Sequence, residues 1–286
     1  MRFFILLIFG FSCGFGVSCN QTPELTPSEQ LQEHVELLEA RNGANPSAET
    51  RTELIKAYEK QSQDTSLSQT RRLDRVRYVA EALYVGGKHD QAYNRLRRGI
   101  SDFQKANSVL DASLFLAEIA IQRRQEPETA ELIFATIRDR FERHKGLAKI
   151  PAAYETLTLV DAQKKLQMLA YPASGFDREA AVRYGKASWA YTAIEDDEAL
   201  VIKDHLAAGR VLEQAKNYAL AIEHYDEVVR RFEENPRAGD ALMLKAVVLQ
   251  EVYSEKEEAR AVLEQMIANY PEHDLANDAK SMLGSL

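Results

Sequence analysis

The residues best suited to nucleophilic chemistry are the only two cysteines, Cys13 and Cys19, which lie close together near the start of the chain. A thiolate can attack a substrate or bind a metal, and two thiols can form a disulfide. Both follow directly on an apolar run at residues 3–11, and no cysteine occurs later. This position points to processing of the N-terminus rather than to a catalytic site.

The rest of the sequence holds no motif that predicts catalysis. Beyond residue 20 it lacks HExxH, GxGxxG, a P-loop and GxSxG. We expect each of the dispersed histidines to be an exposed or half-buried structural residue. They are His34, His89, His144, His205, His224 and His273. The sequence therefore predicts a protein that is not an enzyme and that uses no metal or cofactor.

Two further features of the sequence could indicate a binding site. The acidic run EDDE at residues 195–198 could hold a hard cation, but it lacks the alternating oxygen ligands and the glycine of a calcium loop. We predict instead that it starts a helix, where carboxylates are favourable. Trp189 is the only tryptophan and lies near Tyr191. Such a pair is expected in the core more often than as a ligand platform.

The first eighteen residues predict a secretory signal. Arg2 gives a basic start, residues 3–11 give a short apolar core, and small residues follow. This run is shorter than the roughly 20 residues that span a bilayer. The four residues 16–19, Gly-Val-Ser-Cys, resemble the end of a bacterial lipoprotein signal, although that family usually has leucine where Gly16 stands.

The resemblance implies cleavage before Cys19 and acylation of its thiol. Cys13 is an alternative acylation site, and an ordinary cleaved signal with an incidental cysteine is another interpretation. In that family a residue other than aspartate after the cysteine, here Asn20, implies sorting to the outer membrane. We therefore expect a lipid-anchored protein of the bacterial cell envelope, facing the periplasm, with its membrane contact at the N-terminal lipid.

The composition favours helix nearly throughout and argues against a nucleic-acid partner. The chain has 44 acidic residues against 36 basic ones, and a polyanion would need a basic surface. Glycine and proline are scarce, at 13 and 8 of 286 residues, while helix-favouring residues dominate. Charges are interspersed with apolar residues, as on solvated helix faces.

A motif of four spaced positions recurs along the chain. It has an alanine, a large apolar residue four positions later, a small or apolar one at seven and an aromatic one at eleven. These offsets share one helix face. The alanines are Ala92, Ala130, Ala221 and Ala259, so 38-residue spacings flank a longer gap. An amphipathic helix and a short turn precede each alanine, which predicts repeated helix hairpins.

The repeats resemble the tetratricopeptide repeat (TPR). The third unit carries the match in Ala208, Gly209, Leu212, Ala221, Tyr225 and Pro236. The tail at residues 269–286 is similar to bacterial envelope TPR proteins, including those that work with the Tol–Pal system or in outer-membrane assembly. The family's tryptophan is missing and the period is 38 rather than 34. The implied fold is all-α, a TPR-like α-solenoid of stacked antiparallel helix hairpins with a C-terminal capping helix.

The repeat also predicts the division of the chain. We expect a signal peptide at 1–18, a tether at 19–27, a divergent helix hairpin at 28–66 and a solenoid at 70–286. Its units are expected at about 73–107, 111–145, 202–236 and 240–272, with a degenerate unit at 147–200 and a cap at 273–286. In the degenerate unit, helices are predicted from residue 150 to 170 and after an N-cap at Asp177.

The resemblance implies a scaffold that binds envelope proteins or peptides along a concave face formed by the first helix of each unit. A glycan- or nutrient-binding surface lipoprotein is the alternative, and an enzyme is less favoured. Basic members of the implied face could meet a carboxylate. The residues mapped to this face are Arg77, Glu81, Tyr84, Phe115, Gln122, Arg123, Arg210, Glu213, Gln214, Leu244 and Glu251.

Overall fold

The structure, a computed structural model, describes residues 25–154, 158–172 and 175–286. The predicted signal peptide, the lipidation site at Cys19 and most of the tether lie outside the described residues. The described part contains thirteen α-helices and no strand. None of these helices combines the length and the apolar character that crossing a membrane requires.

Successive helices pack against each other as hairpins, and each hairpin packs against the next. This all-α solenoid with a final capping helix confirms the predicted fold class. The helices are α1 (Pro27–Ala44), α2 (Ala48–Gln63), α3 (Gln69–Val85), α4 (His89–Asp102), α5 (Val109–Ile119), α6 (Pro127–Arg140), α7 (Leu159–Ala170), α8 (Arg178–Ile194), α9 (Glu198–Gln214), α10 (Tyr218–Arg231), α11 (Ala238–Val248), α12 (Lys256–Asn269) and α13 (Ala276–Ser285).

Each of the four repeat alanines is the fourth residue of the second helix of its hairpin, close to the turn. Each is fully buried, as are Leu96, Tyr225 and Leu263 four positions after three of them. Small residues let the paired helices approach closely. At Gly209 an added Cβ would clash with the Tyr225 ring, and at Gly99 it would clash with Val76. The sequence motif therefore marks the contact lines between helices.

A left-handed residue precedes each repeat alanine by five positions. The φ angles are 77° at Gly87, 55° at Gln125, 60° at Lys216 and 59° at Ser254. Such a conformation ends a helix and reverses the chain. Before Gln125 and Ser254 the preceding helix ends in a π-helical turn, at Ala120–Arg124 and Leu249–Tyr253. The backbone thus repeats in the same register as the sequence.

The predicted helix from residue 150 is wrong in its first part. Ile150 is extended, as the residue before a proline tends to be, and only a short 3₁₀ turn follows at Ala152–Tyr154. Helix α7 begins at Leu159, because the Thr158 side chain accepts a hydrogen bond from the Asp161 amide. The second prediction for this region is confirmed: the Asp177 side chain caps α8.

Contacts also link repeats that are distant in sequence. Helix α8 packs against both α4 and α6. At the end of α4, the Ser101 hydroxyl donates to Glu227 of α10 at 2.9 Å, and Asp102 pairs with Arg230 at 2.6 Å. As a result α4, α8 and α10, all second helices of their hairpins, surround a common space.

Candidate functional site

A groove of about 830 Å³ runs between the first helices of two neighbouring hairpins, and we call it the α3–α5 groove. Four of the residues predicted for a partner-binding face line it. Apolar side chains form much of its wall. The lining residues are Arg77, Glu81, Asp111, Leu114, Phe115, Glu118, Ile121, Gln122, Phe134, Lys149, Pro151 and Tyr154.

The charged residues of the groove are mostly paired with one another. Arg77 forms an ion pair with Glu81 one turn later on α3, and Lys149 pairs with Asp111 at 2.7 Å. Glu118 is exposed and has no ion-pair partner among the described residues. The groove therefore offers an apolar wall with one free carboxylate, rather than the free cations expected from the sequence.

Tyr84 connects the groove to two more of the predicted residues. Its ring meets Phe115 edge to face at a centroid distance of 5.6 Å. Its hydroxyl donates to the Gln122 side chain at 3.3 Å and accepts from the Arg123 guanidinium at 3.0 Å. Six of the eleven predicted residues, those on α3, on α5 and in the π-helical turn that follows α5, thus form one continuous surface.

The other five predicted residues do not join the α3–α5 groove. Glu213 accepts from the buried Tyr225 hydroxyl, and Gln214 accepts from the hydroxyl of Tyr171, the residue after α7, at 2.9 Å. Leu244 is partly buried against the C-terminal core. The remaining two, Arg210 and Glu251, are exposed.

The sequence did not predict a second concavity, of about 630 Å³, bounded by α4, α8 and α10. We call it the arginine cleft. Its wall is strongly basic, although the chain as a whole is acidic. It is lined by Leu83, Gln91, Tyr93, Asn94, Arg95, Arg97, Arg98, Arg124, Lys186, Trp189, Leu220 and Glu223. Trp189 is therefore not a simple core residue, whereas its neighbour Tyr191 is buried as expected.

Arg97 is the deepest cation of the arginine cleft. It is only 7% exposed, and its guanidinium carbon lies 4.0 Å from the centre of the Trp189 ring. Burial lowers its pKa to about 10, partly offset by the charges of nearby carboxylates. Arg97 consequently remains protonated at neutral pH.

Two histidines lie behind Trp189, and the expectation that they are exposed or half-buried is wrong. His205 and His224 are fully buried, with their Nδ1 atoms 2.8 Å apart. The His224 ring also packs against the Trp189 ring in a tilted arrangement, with a centroid distance of 4.9 Å. Burial lowers the pKa of His224 to about 3 and that of His205 well below its ordinary value, so both are neutral. With both rings neutral, one imidazole donates its Nδ1–H to the Nδ1 atom of the other.

The acidic run at 195–198 acts as a helix start, as predicted. The Asp197 side chain accepts from the Leu200 amide at the beginning of α9, and Glu195 accepts from the amides of Asp196 and Asp197. Within the described ranges, no group of three or more histidine, cysteine, aspartate or glutamate residues is placed to hold a metal ion.

Comparison of the chain with known proteins identifies no family, but it finds structural similarity at low identity. No protein-family model matches the chain, and no curated protein matches it. Among solved structures, the complex of the TPR2AB domain of yeast Sti1 with pHSP90 is similar at 15% identity and a TM-score of 0.31. The match covers 88% of this chain and 98% of that one. Similarity to known proteins therefore assigns no ligand to the groove or to the cleft.

Proposed function

We propose that the chain is a non-catalytic, TPR-like scaffold that binds a segment of a partner protein in the α3–α5 groove. The observation that carries this proposal is the groove itself, whose half-buried Phe115 lies among apolar neighbours and is open to solvent. Aromatic anchors in such pockets dominate many protein interfaces. The free carboxylate of Glu118 favours a partner segment that places a basic residue beside its apolar ones.

The cellular setting is a second part of the proposal. Cleavage before Cys19 and acylation of its thiol would hold the scaffold at the bacterial outer membrane, where envelope proteins would be its partners. The support for this setting is the resemblance of residues 1–19 to a lipoprotein signal. Several acyl chains would anchor it firmly, because each buried CH₂ contributes about 0.8 kcal/mol.

Groove binding can be tested with a matched pair of variants. Phe115→Glu places a charge in the apolar wall, whereas Tyr253→Glu changes an exposed aromatic residue outside the groove. Affinity capture from bacterial envelope fractions should recover a partner with the wild type and Tyr253→Glu, but not with Phe115→Glu. A partner set that is the same for all three proteins would refute the groove assignment.

The lipid anchor has an independent test. Cells that are given labelled palmitate should label the wild type and Cys13→Ala, whereas Cys19→Ala should carry no label. Equal labelling of Cys19→Ala would contradict acylation at this position. The result does not depend on the groove, so the two parts of the proposal can fail separately.

A further inference from the structure

Arg97 is a buried cation without a hydrogen-bonding partner. Within the described ranges its guanidinium makes no hydrogen bond and no ion pair, and its contact with the Trp189 ring is a cation–π contact. The carboxylates of Glu227 and Glu223 act on it only through space. Glu227 is engaged elsewhere, by Arg230 at 2.8 Å and by Ser101. Since burying an unpaired charge is costly, this arrangement calls for a ligand.

Two more hydrogen-bond donors in the same wall lack an acceptor. The Tyr93 hydroxyl and the Trp189 indole nitrogen are both buried, with no hydrogen-bond partner among the described residues. An indole N–H and a guanidinium can only donate hydrogen bonds. The wall therefore has more donors than acceptors, which favours an anionic ligand in the cleft over a cationic one.

The remaining cations show how much positive charge is uncompensated. Arg95 pairs with Glu59, and Arg124 pairs with Asp90 and Glu126. Lys186 also approaches Glu126, at 3.9 Å.

Arg98, which is exposed, has no ion pair in the described part of the chain. With Arg97 it leaves two free guanidinium groups, against one lining carboxylate, Glu223.

We propose that the arginine cleft binds a small molecule through an oxyanion, either a carboxylate or a phosphate group, with Arg97 and Arg98 as its cationic donors. The planar guanidinium fork fits both groups with two parallel hydrogen bonds. The cleft volume of about 630 Å³ is within the range of small-molecule sites. Leu83 and Leu220 provide apolar wall for the rest of the ligand. The site lies apart from the α3–α5 groove and does not depend on the proposed scaffold function.

Trp189 allows a direct measurement, because it is the only tryptophan in the chain and Arg97 lies against its ring. Inorganic phosphate and succinate are titrated separately into the protein, at an ionic strength held constant with sodium chloride. Binding of either anion should move Arg97 and give a saturable change in tryptophan fluorescence. A response to phosphate alone assigns a phosphate ligand, and a response to succinate alone assigns a carboxylate.

Arg97→Met separates a binding role from a structural one. It should weaken anion binding about tenfold or more, because a charged, bidentate partner is lost. It should also raise the melting temperature, since an apolar chain of similar length replaces a buried unpaired charge. Arg98→Ala, at an exposed position, should weaken binding without changing the melting temperature. Arg260→Met, an exposed residue on α12, is the matched control and should behave as the wild type.

Two results would overturn the proposal. The first is a fluorescence response to neither anion, or an equal response to chloride alone. The second is a lowered melting temperature in Arg97→Met together with unchanged anion binding in Arg98→Ala. That combination would show that Arg97 stabilises the packing of α4 against α8 and does not bind a ligand.

Discussion

At the scale of single residues, the alanine positions explain how the hairpins close. Ala221 is fully buried within the C-terminal core cluster, whereas Ala219, two residues earlier on α10, is exposed. A larger side chain at the first position must displace its neighbours, while at the second it meets solvent. Leucine at each of these two positions therefore tests whether Ala221 lies on the contact line between the helices.

We expect Ala221→Leu to lower the free energy of unfolding by about 1–3 kcal/mol, because overpacking a close helix crossing forces strained side chains. Urea unfolding followed by circular dichroism measures this change. Ala219→Leu is the control and should stay within about 0.5 kcal/mol of the wild type. Equal stability of the two variants would show that Ala221 does not lie at a tight contact.

The buried pair of His205 and His224 predicts sensitivity to acid. Both pKa values are lowered in the folded state, that of His224 to about 3, while the unfolded chain has the ordinary value of 6.5. Below pH 6.5 the unfolded state therefore binds protons that the folded state does not. The free energy of unfolding is fully retained above this pH and falls as the pH drops below it. The loss is on the order of 1 kcal/mol per pH unit for His224, down to its folded-state pKa of about 3, and His205 adds a loss of the same sign.

Urea unfolding at about pH 7.5 and about pH 5 checks this sign. The double variant His205→Leu/His224→Leu should lose less stability on acidification than the wild type, because neither side chain can then titrate. His34→Leu removes an exposed histidine and should leave the acid loss unchanged. An identical acid loss in the double variant would assign the effect to other groups.

At the scale of elements, the turns between paired helices use a left-handed residue in all four repeats. Gly87 has a φ of 77°, and an added Cβ there would touch nothing within 4 Å. Gly43, near the end of α1, has equally open surroundings but is helical. The two glycines thus differ in backbone conformation and not in available space.

Gly87→Ala and Gly43→Ala should therefore change stability in opposite directions. Alanine at Gly87 must adopt a positive φ, which costs about 1 kcal/mol or more. Alanine at Gly43 gains up to about 1 kcal/mol of helix propensity, reduced by fraying near the helix end. Thermal unfolding of both variants measures the difference. A lowered melting temperature at both positions would mean that side-chain crowding, and not φ, determines the effect.

The sequence predicted helices and hairpins well because their signal is local and periodic. An alanine followed by an aromatic residue eleven positions later can be recognised in the sequence without knowledge of any tertiary contact. The break before α7 could be predicted only in part. Pro151 favours a break and Thr158 a helix start, but the residues around them favour helix. The arginine cleft could not be predicted, because Arg97, Lys186 and Glu223 come together only through the packing of three helices that are far apart in sequence.

At the scale of the whole molecule, one cluster links the first repeat of the solenoid to the third. Arg230 of α10 pairs with Glu227 on its own helix and with Asp102 at the end of α4. Stacked repeats normally contact only their neighbours. This cluster therefore couples segments that would otherwise unfold independently, and it closes one end of the space that contains the arginine cleft.

Arg230→Ala should lower the free energy of unfolding by about 1–3 kcal/mol, because it leaves Glu227, which is 8% exposed, without its cation. Arg237→Ala breaks an exposed pair with Asp240 and should cost less than about 1 kcal/mol. A double-mutant cycle with Asp102→Ala isolates the part of the loss that crosses between repeats. Hydrogen exchange at the end of α4 should accelerate in Arg230→Ala and not in Arg237→Ala. Unchanged exchange there, with a coupling energy near zero, would show that the two repeats are stable independently of this contact.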